Sequence, residues 1–452
     1  MGGKRMALFG LIGSFLQLRQ NALSTRVQIK RYQQARLNRL LLHAYDHSDY
    51  YREHFAEAGI AREQIGNLPL TRYPTLDKDA LMANFERLVT VNDLTQEGLR
   101  AFDQQTRASS ALYQGKYHVV HSSGSTGTPR YFVYDQQAWN DMLAGIVRGA
   151  LWGMSLLEIA KLLLSRPRIM YVAATDGRYG GAMAVGDGIS GVGARQLFLD
   201  VNRPLSEWQQ CMEAFRPQIV IGYPTAIRIM ADMAASGQIR PRLTRIISCG
   251  EPLSPGMRQH LEKTLGAEVI NFYGASESLA LGVEGPREAD MVLFDDLNIV
   301  EVVDGEMYLT CLYNLTQPLI RYHLTDRLVP KPLDKGPFSR AEIVLSRSED
   351  VLWFEDAAQG RRDFLHPLAV EGFCLEGLTD YQFVQTGTDS FTMLAVASDA
   401  HRQQIRQEMQ SQMRKILAEK QMTWVRFSVD FCSEILPDVR TGKKRLIVQL
   451  AA

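Results

Sequence analysis

The sequence has few cysteines, and none of them stands in a recognisable pair. Five cysteines are scattered through 452 residues, with no CxxC spacing and no paired histidines near them. This scatter argues against a disulfide framework and against a structural zinc site. We therefore expect a protein of a reducing compartment, the cytoplasm.

The chain also lacks an excess of charge of either sign. Its 50 lysine and arginine residues balance its 50 aspartate and glutamate residues, and the pI is about 7.1. Because no global field attracts polyanions, nucleic acid is not expected as a partner.

No apolar run is long enough to span a bilayer. The best candidate is "MALFGLIGSFLQL", residues 6–18, which follows Lys4 and Arg5 and has no small-residue cleavage motif. We interpret this stretch as a first helix packed on the body of the protein. A peripheral membrane contact is the alternative.

Three familiar catalytic motifs are incomplete. "SSGSTGTPR" at 122–130 lacks the GK[ST] ending of a Walker A loop, and "YGASES" at 273–278 lacks the closing glycine of a nucleophile elbow. "GDGISG" at 186–191 lies too far behind its preceding strand to hold a dinucleotide, so we interpret it as a mobile loop. The missing elbow argues against an α/β-hydrolase.

What the chain does contain is an alternation of strand-like runs and helical segments. The strand runs include "KYHVVHSS", "RYFVYD", "PRIMYVAAT", "QIVIGYP", "LTRIISCG" and "AEVINFYG". This alternation predicts an α/β sheet with helical crossovers. Residues 27–58 show helical spacing with one buried face. A further helix should be capped by Ser254, begin at Pro255 and end at Gly266.

The character of the sequence changes from about residue 350 onward. Short strands, a charged helix at 401–420, another strand and a basic tail follow one another there. A chain of 452 residues is also too long for one hydrophobic core. We predict a large N-terminal domain of mixed sheets and helices, residues 1–346, and a small mobile α+β C-terminal domain, residues 347–452.

Individual polar residues allow functional and ordinary interpretations. The loop at 122–128 has the small residues that let backbone amides and hydroxyls cradle phosphate, but surface turns share that composition. Glu277 follows a strand and suits Mg²⁺ bound to phosphates, or it is a solvated glutamate. We expect His118 and His121 to face the same side of a strand, as packed histidines or near a substrate carboxylate.

The order of the motifs is more specific than any one of them. "SSGSTGTPR", "GYPTA", "CGEPL", "NFYGASE", "LIRYHLTDRL", "SRSEDVLWF" and "TGKKR" follow one another over nearly the whole chain. In this the sequence resembles the adenylate-forming (acyl/aryl-CoA synthetase) superfamily, in its branch of phenylacetate-CoA ligases and capsule-biosynthesis adenylation enzymes. "LLHAYDHSDYYREHF" near the N-terminus resembles the same branch.

The resemblance implies a role for each matching residue. The 123–128 loop would bind the β and γ phosphates of ATP, Glu277 would position Mg²⁺, Asp326 would bind the ribose hydroxyls, and Arg347 would lie at the hinge of the small domain. The segment 250–252 would line the adenine, and Tyr273 would lie near the adenine or the acyl group. The whole nucleotide site would comprise Ser123, Gly124, Ser125, Thr126, Gly127, Gly250, Glu251, Pro252, Tyr273, Gly274, Ser276, Asp326 and Arg347.

Lys443 would be the catalytic residue. As a carboxylate attacks the α-phosphorus, two anions approach each other, and a cation between them stabilises the developing charge. Lys444 is the alternative one position on, although the spacing of "GKKR" favours Lys443. The sequence departs from the family pattern at Thr325 and Ser346, where glycine is usual, and at Arg130, where lysine is frequent.

The reaction implied is an ATP-dependent ligation of a carboxylic acid, aromatic or otherwise compact, to a thiol. Coenzyme A is the expected acceptor, and the phosphopantetheine arm of an acyl carrier protein is the alternative. A non-catalytic binding protein that retains the fold, and a homodimer, also stay open. Candidate residues of the acid pocket are Tyr131, Tyr223, Pro224, Cys249 and Ala275.

Overall fold

A computed structural model of the protein describes residues 2–105, 111–121, 130–174, 180–190, 194–332, 336–343, 351–356, 359–370, 373, 375–436 and 446–448. It is an α/β structure, as the alternating pattern predicts. Within those residues, no helix is both long enough and apolar enough to cross a lipid bilayer.

Helices form the start of the chain. They are α1 (Gly2–Ala22), α2 (Arg26–His47), α3 (Asp49–Glu57), α4 (Lys78–Ala83), α5 (Phe85–Leu88) and α6 (Gln96–Gln105). The helical pattern of 27–58 is interrupted at Ser48, whose extended backbone ends α2 and whose hydroxyl accepts the Tyr51 amide N–H at the start of α3. A serine side chain competes for backbone N–H groups in this way and so favours helix ends.

The first helix packs on the body of the protein, as the sequence predicts. It lies against α7 (Gln136–Ala150), where the Ser14 hydroxyl donates to Asp141 Oδ1 at 2.6 Å. A Cβ atom on Gly10 would lie 2.6 Å from Asn140 Nδ2. Glycine therefore allows the two helices to approach closely at this point.

A hairpin of β1 (His118–His121) and β2 (Tyr131–Tyr134) flanks the 122–129 segment. The expectation that His118 and His121 face the same side is wrong, because side chains three residues apart on a strand point to opposite faces. His118 stacks on Trp139 with 4.3 Å between ring centroids, whereas His121 Nδ1 lies 3.4 Å from Asp103 Oδ2.

A large sheet forms the centre of the molecule. Its parallel strands are β3 (Arg168–Ala173), β4 (Arg195–Asp200), β5 (Ile219–Gly222), β6 (Arg245–Cys249) and β7 (Glu268–Ala275); its antiparallel strands are β8 (Ser278–Glu284), β9 (Met291–Leu293), β13 (Leu328–Lys331) and β14 (Arg340–Ile343). The strand order within the described residues is β13-β14-β9-β8-β7-β6-β5-β3-β4. The carboxyl ends of β5, β6 and β7 therefore meet at one edge, where open α/β sheets bind ligands.

Helices connect the parallel strands. They are α9 (Gly180–Ser190), α10 (Leu205–Phe215), α11 (Pro224–Ala235) and α12 (Pro255–Leu265), and a further helix, α8 (Leu156–Leu164), precedes β3. The predicted punctuation of α12 is confirmed, since the Ser254 hydroxyl accepts the Met257 N–H and Gly266 ends the helix with a φ of +65°.

The interpretation of "GDGISG" as a mobile loop is wrong for residues 186–190, which form the end of α9. Met183 and Val185 of this helix are buried in the core, and Asp187 Oδ2 accepts the Trp139 indole N–H at 3.0 Å. Tertiary packing therefore outweighs the low helix propensity of the glycines. Residue 191 lies outside the described residues.

A smaller antiparallel sheet lies beside the large one. It consists of β10 (Asn298–Val303), β11 (Glu306–Cys311) and β12 (Tyr322–Leu324). The short link from β12 to β13 carries Asp326 from this sheet to the edge of the large one.

The C-terminal part has a hydrophobic cluster of its own. Its elements are β15 (Leu352–Asp356), β16 (Arg361–Leu365), α13 (Pro367–Val370), β17 (Leu378–Gly387), β18 (Ser390–Ala397), α14 (Arg402–Glu419), β19 (Arg426–Phe431) and β20 (Ile447–Val448). Phe354, Phe383 and Met409 belong to this cluster, whereas Phe364 packs in the cluster of the large sheet. The boundary at 346/347 stays a prediction, because residues 344–350 lie outside the described residues.

One buried lysine connects the C-terminal part to the body. Lys420 Nζ donates to the carbonyl oxygens of Val201 and Arg203 at 3.1 and 3.2 Å, and it lies 3.6 Å from Asp363 Oδ1. Asp363 Oδ2 in turn accepts the Leu205 N–H at 2.9 Å. Burial lowers the pKa of Lys420 and raises the pKa of Asp363. The charges of this pair therefore depend on their mutual contact.

Candidate active site

Three neighbouring parallel strands deliver predicted site residues to one edge of the sheet. Tyr223 and Pro224 follow β5, residues 250–252 follow β6, and Tyr273 lies near the end of β7. The helices that leave this edge begin at once, because Pro224 is the first residue of α11 and Ser254 caps α12. The site is thus built by strand ends and the helix starts that follow them.

The turn after β6 requires a glycine. Gly250 has a φ of +81°, and a Cβ atom there would lie 2.6 Å from Cε1 of the Tyr223 ring. Because the backbone is left-handed and the Tyr223 ring lies so close, any residue larger than glycine would be strained at this position. Tyr223 is held in turn by His366, with ring centroids 5.3 Å apart and the planes 21° from parallel.

Glu251 is fixed by a compact polar cluster. Its carboxylate accepts the Thr225 hydroxyl, with 2.8 Å to Oε2, and its Oε1 lies 3.0 Å from His366 Nε2. His366 is fully buried and also lies 3.1 Å from the Thr225 hydroxyl. Sequence reasoning missed His366, since it is a lone histidine in the C-terminal part and only the fold brings it to the β6 turn.

The predicted ribose and base residues contact each other. The Tyr273 phenol donates to Asp326 Oδ2 at 2.8 Å. Burial, and then the Asp326 carboxylate, raise the pKa of Tyr273 far above its usual range. The phenol therefore stays protonated and orients the carboxylate by a charge-assisted hydrogen bond.

Glu277 lies in the tight turn between β7 and β8, and its side chain is only 6% exposed. Its Oε1 is 3.6 Å from Arg130 Nη1, and the same Arg130 nitrogen donates to the Tyr322 hydroxyl at 3.0 Å. Burial raises the pKa of Glu277, and Arg130 opposes this effect. Arg130, the first described residue after the 122–129 segment, therefore lies beside Glu277.

The turn also explains why Ser276 is not a nucleophile elbow. An elbow is a sharp strand-to-helix turn. Ser276 instead joins two antiparallel strands, and its carbonyl oxygen lies 3.3 Å from the Tyr134 hydroxyl.

A cleft of about 840 Å³ is lined by six of the seven predicted nucleotide-site residues that the structure describes. Arg258, Asn271 and Phe272, which the sequence did not single out, share its wall. The predicted residues that line it are Gly250, Glu251, Pro252, Tyr273, Gly274 and Asp326.

The candidate residues of the acid pocket are divided between two places. Tyr223, Pro224, Cys249 and Ala275 lie at the ends of β5, β6 and β7. Tyr131 packs instead in a separate cluster with Phe85 and Leu99, where its hydroxyl donates to Asp103 at 3.3 Å. Burial raises the pKa of the Cys249 thiol to about 12, so the thiol stays neutral, which disfavours a role as nucleophile.

Several predicted site residues lie outside the described residues. These are the loop residues Ser123, Gly124, Ser125, Thr126 and Gly127, the hinge residue Arg347 and the candidate catalytic lysines Lys443 and Lys444.

An α/β sheet with a polar cleft at the carboxyl ends of its parallel strands is the architecture of a ligand-binding α/β protein. Comparison with known proteins shows which families the chain resembles. Residues 117–294 match the family model described as AMP-binding enzyme. The chain is 24% identical to the phenylacetate-coenzyme A ligase of Pseudomonas putida over 356 residues, which are 72% of each chain. It is 25% identical to that of Escherichia coli strain K12 over 359 residues, again 72% of each chain.

Solved structures are similar over almost the whole chain. A 2-hydroxyisobutyryl-CoA ligase in complex with 2-HIB-AMP and CoA gives a TM-score of 0.62 at 18% identity, covering 95% of this chain and 91% of that one. The same ligase in its postadenylation state gives 0.57 at 19% identity, with the same coverage. These likenesses establish the fold. The family model and the phenylacetate-coenzyme A ligases confirm the resemblance to the adenylate-forming superfamily and to its phenylacetate-CoA ligase branch.

Proposed function

We propose that the chain is an AMP-forming acid–thiol ligase, which joins a small carboxylic acid to AMP with release of pyrophosphate and then passes the acyl group to a thiol. One observation carries the proposal. The predicted adenine and ribose residues line one cleft, and Glu277 lies beside Arg130, the first described residue after the 122–129 segment.

The nucleotide would lie along the cleft between the β6 turn and Asp326. Gly250 would offer its backbone to the adenine, because no side chain projects from it, and Pro252 would offer an apolar ring. A carboxylate can accept hydrogen bonds from both hydroxyls of a vicinal diol such as that of the ribose. The 2.8 Å hydrogen bond from Tyr273 holds the Asp326 carboxylate in place for this role. The 122–129 segment would then follow the phosphates toward Glu277.

Mg²⁺ is the metal ion that the family implies. In the part of the chain that the structure describes, no group of three or more His, Cys, Asp or Glu side chains could hold a metal ion. Mg²⁺ keeps most of its water ligands and would enter the site already bound to the nucleotide phosphates, so the single buried carboxylate of Glu277 is a sufficient protein ligand. Bound there, Mg²⁺ would neutralise phosphate charge, and its presence would favour the ionised form of Glu277.

The C-terminal domain, proposed to begin at residue 347, would deliver Lys443 to the α-phosphate. The substrate carboxylate attacks that phosphorus and pyrophosphate leaves, so the new bond is an acyl–phosphate anhydride. A lysine ammonium between the two reacting anions lowers the barrier. Rotation about Arg347 would then admit the thiol, which displaces AMP and takes the acyl group.

The named relatives support an aryl acid and coenzyme A as the substrates. The aromatic Tyr223 and the small residues Cys249 and Ala275 suit one face of a flat ring. The chain needs no nucleophile of its own, which agrees with the neutral thiol of Cys249. Transfer to the phosphopantetheine arm of a carrier protein uses the same chemistry. An acceptor assay distinguishes coenzyme A from the carrier protein.

The test is pyrophosphate release with ATP and Mg²⁺ across a panel of aryl and aliphatic acids, without acceptor. We expect release with aryl acids, and a loss of at least about 100-fold in Lys443→Ala, since one preorganised charge of this kind contributes roughly that much. Lys444→Ala is the matched control and should retain activity. A loss in Lys444→Ala alone would move the catalytic assignment by one position.

Acceptor use is measured next, as disappearance of the free thiol of coenzyme A in the same reactions. Consumption of coenzyme A in step with AMP formation supports the proposal. If coenzyme A leaves pyrophosphate release unchanged and a phosphopantetheinylated carrier protein accelerates it, the acceptor would be the carrier protein instead of coenzyme A. Nucleotide binding without release from any acid would overturn the proposal in favour of a binding protein.

A further inference from the structure

The first helix carries apolar side chains on the face that points away from the protein. Phe9, Ile12 and Leu16 are 72%, 46% and 56% exposed. Their spacing of three and four residues places them on one stripe of α1. Leu23, directly after the helix, is 88% exposed. A continuous exposed stripe of this kind marks an interaction surface, unlike single exposed leucines.

The opposite face of α1 is anchored, so the stripe cannot turn inward. Leu18 is 3% exposed, and Asn21 Nδ2 donates to the buried Asp296 carboxylate at 3.0 Å. Ser14 donates to Asp141 from the same face. The exposed stripe is therefore a fixed feature of the folded protein.

A second helix with exposed apolar side chains begins beside the last turn of α1. Arg19 Nη2 donates to the carbonyl oxygen of Met154 at 3.2 Å, just before α8 begins. On α8, Leu156, Leu157 and Leu164 are 61%, 75% and 84% exposed. We call the exposed residues of both helices, Phe9, Ile12, Leu16, Leu156, Leu157 and Leu164, the α1–α8 surface.

Charge is distributed unevenly along the chain that contributes α1. The first 45 residues contain no aspartate or glutamate, whereas the remaining residues carry a net charge of −8. Arg26 and Arg36 pair with Asp295 and Asp141 of the body, which leaves six basic residues of this segment outside those pairs. The eight basic residues are Lys4, Arg5, Arg19, Arg26, Lys30, Arg31, Arg36 and Arg39.

We propose that the α1–α8 surface docks the protein peripherally on a membrane that contains anionic phospholipids. Apolar side chains would enter the boundary between headgroups and acyl chains, and the basic residues would attract lipid phosphates. A second copy of the chain is a poorer occupant. A two-fold contact places the same patch on both partners, so two acid-free, basic segments would face each other.

The test is sedimentation of the full-length protein with vesicles of phosphatidylcholine alone and of equal parts phosphatidylcholine and phosphatidylglycerol. We expect binding to the anionic vesicles, weakened by salt, and at least about tenfold less to the neutral ones, because each basic residue near the surface contributes roughly fivefold. Ile12→Gln/Leu16→Gln should lower binding to the anionic vesicles about tenfold.

Leu436→Gln is the control, since Leu436 is 69% exposed on the C-terminal part, outside the surface. It should bind vesicles like the unaltered protein, and all variants should unfold at the same urea concentration. Absence of binding to the anionic vesicles, or equal binding by both variants, would overturn the proposal. A dimer in light scattering that Ile12→Gln/Leu16→Gln dissociates, without vesicle binding, would instead assign the surface to self-association.

Discussion

Replacement of Gly250 by alanine tests the construction of the site at its tightest point. Two effects act there, a φ of +81° and a Cβ position 2.6 Å from Cε1 and 2.9 Å from Cδ1 of Tyr223. Gly237 offers a matched control, because its φ is +78° and nothing lies within 4 Å of its Cβ position. The two substitutions share the backbone effect, and only Gly250→Ala adds the steric one.

The magnitudes follow from these geometries. A left-handed backbone costs a non-glycine residue about 1–2 kcal/mol, and the stiffer unfolded chain returns about 0.4–1 kcal/mol. Gly237→Ala should therefore lower the free energy of unfolding by about 1 kcal/mol. Tyr223 is only 8% exposed and is stacked on His366, so its ring cannot withdraw freely. The overpacking adds about 1–3 kcal/mol for Gly250→Ala.

Urea unfolding followed by tryptophan fluorescence measures both variants against the unaltered protein. Pyrophosphate release gives the second readout, in which Gly250→Ala should lose activity and Gly237→Ala should retain it. Equal destabilisation by the two substitutions would refute the steric argument. A Gly237→Ala protein as stable as the parent would refute the backbone argument at both positions.

Two further predictions concern buried ionisable groups. Burial lowers the pKa of His118 from 6.5 to about 4. Between these two pH values the imidazole is protonated in the unfolded chain and neutral in the folded protein. The free energy of unfolding should therefore fall by about 3 kcal/mol as the pH drops from about 6.5 to about 4. Urea unfolding at several pH values should show a smaller fall in His118→Gln, and an identical fall would contradict this account. Lys420→Met should cost about 3–5 kcal/mol by leaving Asp363 buried without its cation, and Lys420→Met/Asp363→Asn should recover part of that loss. Additive effects in this double-mutant cycle would contradict the coupling.

Much of the fold could be predicted because local signals and tertiary structure agree. The apolar β-rich runs became β3, β5, β6 and β7, and Ser254 and Gly266 punctuate α12 as expected. Where the two disagree, local reasoning failed. The glycines of α9 predict a loop, but Met183 and Val185 are buried and keep the segment helical.

The site was predictable only as far as its residues belong to ordered motifs. Tyr273, Asp326 and residues 250–252 meet in one cleft, as the motif order implies. His366 was not predictable, because its contacts with Glu251 and Tyr223 join segments more than a hundred residues apart in sequence. Tyr131 illustrates the other limit. Strand alternation points its side chain toward Phe85 and Leu99, away from the β5–β7 ends.

The contacts of the C-terminal part constrain the rotation that the proposed mechanism needs. If residues 347–452 turn as one unit, Lys420 and Asp363 move together and keep their 3.6 Å contact. The contacts that break are those to the body: the bonds from Lys420 to the carbonyls of Val201 and Arg203, the bond from the Leu205 N–H to Asp363, and the contacts of His366 with Glu251 and Tyr223. The lysine then leaves with its counter-ion and gains water in place of two carbonyl groups, so no uncompensated charge stays buried. Pairing within the moving unit thus lets charged groups take part in the interface without leaving a buried charge unpaired when the unit rotates.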